Sequence, residues 1–120
     1  MRLSDLIETA ASNQRLLVAD IESVAAEAGL SVSDLLDAFA RSVAIQYLQG
    51  QSSFNFADAA MNQLFGFAVA DTGIGLSEFA WDVFGAFDEG EYIHEGMPDD
   101  EQGETLTRKL LGRIDSLRAA

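Results

Sequence analysis

The sequence predicts an all-α fold: a single domain over residues 1–120, built as a bundle of about five helices with a long acidic loop before the last one. Three observations carry this. Apolar residues recur at three- and four-residue spacing in successive stretches, small polar residues precede those stretches while glycine follows them, and no run alternates apolar and polar residues between hairpin turns.

The first stretch sets Leu3, Leu6, Ile7, Ala10, Leu17, Ile21, Val24, Ala25 and Ala28 at helical spacing, with Ser4 as N-cap and Gly29 past the end. It reads as one long helix or one broken at Ser12-Asn13. Ser33-Asp34 opens a second helix through Leu36, Phe39, Ala40, Val43, Tyr47 and Leu48, and Gly50 supplies the left-handed residue that ends it. Asp37 and Arg41 stand four apart, in the orientation that favours an ion pair.

A third helix is expected over residues 55–70. Asp58, Asn62 and Gln63 are its only polar interruptions, so it belongs at the centre of the bundle, with Gly66 admitting a neighbour closely. Residues 71–75, Asp-Thr-Gly-Ile-Gly, form a turn. Ser77 then caps a fourth helix that turns Glu78, Asp82 and Glu89 outward and Phe79, Trp81, Phe84 and Phe87 inward. Helical periodicity disappears over residues 90–103, where glycine, proline and acid accumulate as in a long surface loop. Residues 105–117 recover it through Leu106, Leu110, Leu111, Ile114 and Leu117, and this last helix carries Arg108, Lys109, Arg113 and, just beyond it, Arg118.

With 120 residues and 48% hydrophobic content, the chain can bury a core without staples. It has no cysteine, which excludes disulfides, thiolate metal sites and cysteine nucleophiles and fits the cytoplasm as the expected compartment. The N-terminus shows no apolar run of signal-peptide type. The most apolar stretch, residues 64–70, is far shorter than the ~20 residues of a spanning helix.

Charge is the feature that bears most on function. The net charge is −13, with seven basic residues against twenty acids, which argues against direct binding to nucleic acid or to an anionic membrane surface. A basic protein partner remains. No lysine or arginine occurs from Val43 to Thr107, whereas twelve carboxylates do. Eight of those fall between Asp88 and Glu104: Asp88, Glu89, Glu91, Glu95, Asp99, Asp100, Glu101 and Glu104. These eight and Tyr92, an aromatic among acids with Ile93 and Met97 nearby, form the candidate partner-binding surface. The competing reading is a solvated loop that keeps the protein soluble, or one neutralised by the chain's own basic C-terminal helix.

Other chemistries find less support. Glu91 and His94 stand three apart, the half-motif of carboxylate metal sites in helical bundles, but His94 is the only histidine and a homodimer would have to complete the site. A calcium-loop register with Gly103 at its sixth position puts Pro98 first and Lys109 twelfth, and fails at both ends. Gly75-Leu76-Ser77-Glu78-Phe79 lacks the second glycine of a nucleophile elbow. Asp71-Thr72-Gly73 matches the triplet of aspartic proteases but sits in a helical context, where a helix-ending turn accounts for it. No pair of carboxylates is singled out for catalysis. The expectation is a non-enzymatic protein with no cofactor.

Nine of eleven aromatic residues lie between Phe54 and Tyr92, which reads as core packing, or as an apolar pocket or homodimer face. In size, charge and helicity the chain resembles small acidic helical immunity and inhibitor proteins that neutralise basic toxins and nucleases, although no motif assigns it to a named family. That resemblance implies a mimic of phosphate charge that occupies a basic groove. Two alternatives stand beside it: a metal-binding helical protein using Glu91 and His94, and a structural homodimer whose acidic loop only solubilises.

Overall fold

Seven α-helices occupy the computed structural model, which describes residues 1–118: α1 (Leu3–Ala11), α2 (Val18–Ala28), α3 (Val32–Leu48), α4 (Phe54–Phe65), α5 (Glu78–Gly90), α6 (Glu104–Leu111) and α7 (Asp115–Arg118). A π turn over Gly66–Asp71 continues α4, and a 3-10 turn over Asp99–Glu101 precedes α6. The all-α expectation holds. The count rises from about five because the first and last expected helices are each cut in two.

The first cut falls at the expected place. Asn13 takes φ 62°, a left-handed conformation that asparagine tolerates better than most residues, and the Ser12 hydroxyl donates back to the Glu8 carbonyl at 2.9 Å. Ser4 is not the cap of α1. Asp5 turns back to accept from the Arg2 amide at 2.7 Å, and the cap moves to Arg2, two residues earlier. Gly29 ends α2 at φ 69°, as its position predicts. The second cut follows Leu111, where Gly112 lowers helix propensity and the chain turns through Ile114 into α7.

Ser31, rather than Ser33, caps α3 by accepting from the Asp34 amide at 3.0 Å. The expected Asp37–Arg41 pair does not form, because both residues have partners on other helices. Asp37 accepts a hydrogen bond from Ser77, while Arg41 lies 4.7 Å over the Phe79 ring and donates to the Ser116 carbonyl at 3.1 Å. A helical pair worth only ~0.2–0.5 kcal/mol yields readily to such contacts.

The reading of α4 as the central helix matches its surroundings. Ala57, Ala60, Met61 and Leu64 are fully buried, and the helix packs against α1, α3 and α5. Gly66, however, admits no neighbour: a β-carbon there would meet no atom within 4 Å. The α-helix passes instead into the wider π turn, whose Phe67 carbonyl accepts from the Thr72 amide at 3.1 Å and the Thr72 hydroxyl at 2.8 Å. Asp71 of the Asp-Thr-Gly triplet lies at the end of this turn, 3.0 Å from the Arg15 guanidinium. Ser77 caps α5 as expected, accepting from the Ala80 amide at 3.1 Å. On α5 the inward assignment needs correction at one ring: Phe87 is buried and Phe79 and Phe84 are half-buried, but Trp81 remains 43% exposed. Among the described residues no helix is long and apolar enough to cross a membrane.

Candidate functional site

The acidic segment is anchored where α5 and α6 meet. Thr107, fully buried on α6, donates to the Ala86 carbonyl of α5 at 2.7 Å. Gly90 closes α5 at the same crossing, with room there for nothing larger than glycine: a β-carbon would fall 2.1 Å from Thr107 Oγ1 and 3.0 Å from the Gly103 carbonyl. Both ends of the linker, residues 91–103, are thereby fixed beside each other.

Within the linker, one side chain makes both of the internal hydrogen bonds that involve a side chain. Gln102 accepts from the His94 amide at 2.6 Å and donates to the Met97 carbonyl at 3.0 Å. His94 Nε2 lies 2.8 Å from the Glu89 carbonyl and 3.2 Å from Glu89 Oε2. Two acceptors on one ring nitrogen place the proton on Nε2. His94 therefore faces Glu89 rather than Glu91. Glu91 lies just past the end of α5 and His94 in irregular chain, so the helical face that their spacing would have shared does not exist. Among the described residues no group of three or more histidine, aspartate or glutamate side chains is arranged to hold a metal ion.

The nine sequence-predicted contact residues divide into three groups. Glu95, Asp99, Asp100 and Glu101 are exposed and make no ion pair with any described residue, and Tyr92 stands beside them 56% exposed. The Tyr92 hydroxyl is 3.4 Å from Asp88, and the charge of Asp88, with that of Glu91 and Glu89, raises the phenol pKa above its usual value. Ile93 is 90% exposed, so the apolar element of this segment points to solvent and not to the core. Asp88, Glu89 and Glu91 cluster at the C-terminal end of α5. Glu104 belongs elsewhere: its Oε1 accepts from the Tyr47 hydroxyl at 2.8 Å, which ties it to the core. Burial, reinforced by that bond, pushes the Tyr47 phenol up to about 12.

Two contributors were not among the predicted residues. Asp58 on α4 sits behind Glu91 and Asp88; burial, then the charge and hydrogen-bonding reach of Glu91, push its carboxyl up to about 7. Its Oδ1 is buried without a partner. The single acid on a mostly apolar helix was the available signal. The second is a groove of about 660 Å3 between α5 and the α6–α7 corner, with Trp81 at its edge. Comparison of the chain with protein-family models, curated proteins and solved structures gives no match.

Proposed function

We propose that the chain is a non-enzymatic docking protein that binds a basic protein partner through the acidic surface spanning Asp88 to Glu101. The observation supporting this reading is that the molecule's own cations leave that surface alone. Arg108 lies 4.4 Å over the Tyr47 ring, Arg118 pairs with Asp115, and neither Lys109 nor Arg113 forms an ion pair with a described acid. Among the described residues no ion pair joins the C-terminal basic helices to the acidic run, which favours an open surface over intramolecular neutralisation.

An unneutralised field of this kind raises the association rate with a cationic surface by long-range steering and can occupy grooves that otherwise hold phosphates. Tyr92 and Ile93 supply exposed apolar area within the charged rim. Glu104 drops out of the proposed contact set because the Tyr47 hydroxyl engages it. Affinity capture from native lysate across a salt series tests the reading, with the combined variant Asp99→Lys, Asp100→Lys, Glu101→Lys alongside. A basic protein recovered by the wild type, and lost both in the variant and at high salt, is the expected result. Recovery of the same proteins by both chains contradicts it.

A further inference from the structure

Beyond the linker acids, and resting on the proposed docking role, we infer that the groove between α5 and the α6–α7 corner seats a cationic amphipathic helix of the partner. The groove holds about 660 Å3 and is floored by Phe79, Gly85, Ala86, Leu110 and Ile114, with Trp81 on its wall. Glu78, Asp82 and Glu89 line it along α5, while on the opposite side Asp115 is paired with Arg118 and stands beside Arg113, so the acid character of the rim lies on α5. An apolar trough with an acidic rim is complementary to a helix with one apolar and one basic face. The three α5 acids extend over about 16 Å at the helical rise, which matches roughly three turns of a bound helix.

Trp81 is preorganised as the anchor. Its ring meets Phe65 edge-on at 5.5 Å and Phe84 at 5.9 Å, and those two rings stack on each other at 4.5 Å. Little side-chain freedom remains to be lost on binding, although 43% of the residue is exposed. Arg41 braces both sides of the trough through its contacts with Phe79 and the Ser116 carbonyl. A second copy of this chain is a poor occupant, since it would bring a charge of −13 to an acidic rim.

Trp81 is the only tryptophan, so its emission reports on this groove alone. The probe is a synthetic leucine–lysine helix of about four turns, compared with a lysine–serine peptide of equal charge and a leucine–glutamate peptide. The leucine–lysine peptide should shift Trp81 emission to the blue, and the other two should not. Gly85→Gln fills the floor, where a β-carbon meets nothing within 4 Å, and should weaken that peptide by about tenfold or more. Asp82→Lys on the exposed rim should do the same and serves if the first variant does not fold. Equal affinity of wild type and both variants overturns the groove. If binding is then lost on charge reversal at Asp99, Asp100 and Glu101, the docking role survives without it; absence of binding by either cationic peptide at low salt removes both. A blue shift on raising protein concentration without peptide assigns the face to a second copy and overturns the inference.

Discussion

Gly90 and Thr107 approach so closely that a β-carbon on Gly90 would fall 2.1 Å from the Thr107 hydroxyl oxygen, which itself donates to Ala86 one turn earlier. This contact places the two ends of the acidic linker side by side. The exposed carboxylates are thus presented from a fixed base on α5 and α6.

Gly90→Ala should therefore destabilise the fold by about 1–3 kcal/mol through overpacking. Urea unfolding of the single variant and of Gly90→Ala combined with Thr107→Ala checks this. The second substitution should return part of the loss, a non-additivity expected of residues in contact. An unchanged midpoint for Gly90→Ala contradicts the geometry.

Tyr47→Phe removes the hydroxyl that Glu104 accepts from, while keeping the ring between Phe54 and Phe87, whose centroids lie 6.2 and 5.2 Å away. A loss of about 1 kcal/mol in unfolding free energy is expected for one such bond. No loss would mean that Glu104 is as well served by water, and would return it to the set of free surface acids.

Asp58 predicts the pH dependence of stability. Its folded carboxyl keeps a proton up to about 7, whereas an unfolded aspartate releases it near 4. The folded state binds more protons between those values, so stability falls as pH rises through that window, with the favourable contribution complete below it. Asp58→Asn should flatten the slope and raise stability at pH 8, by something on the order of 1 kcal/mol once its partial exposure is allowed for. Thermal unfolding between pH 4 and 8 reads this directly. Equal slopes for the two proteins would refute the assignment.

Arg41→Ala should cost about 1 kcal/mol through loss of the stacking on Phe79 and of the bond to Ser116, and Arg41→Lys should restore little of it, because the planar guanidinium serves both contacts. Hydrogen exchange over Asp115–Arg118 should accelerate in both variants. Protection equal to wild type in Arg41→Ala would show that α7 is held by Leu117 alone.

Helix class and most boundaries were legible because they depend on local signals. Gly29 and Gly50 take the positive φ their places require, Ser77 caps α5, and the one acid amid the apolar residues of α4 marks a special position. What escaped depends on contacts distant in sequence. Asp37 and Arg41 look like a pair until Ser77 and Phe79 arrive from α5, and Glu104 looks free until Tyr47 reaches it from α3. Trp81 looks like one of the inward rings, yet at helical spacing it stands about 120° around α5 from the buried Phe87 and next to the acidic stripe, at the margin of the buried face. Periodicity tells which residues share a face but not whether a neighbour covers it.

Recruitment of a basic partner by the carboxylates between Asp88 and Glu101 is read from the association rate of the captured partner as a function of ionic strength. The wild-type rate should fall steeply with salt. The Asp99→Lys, Asp100→Lys, Glu101→Lys variant should be much slower than wild type at low salt and nearly equal to it at high salt. A variant that matches wild type at low salt, or is slowed by the same factor at both, would contradict that recruitment.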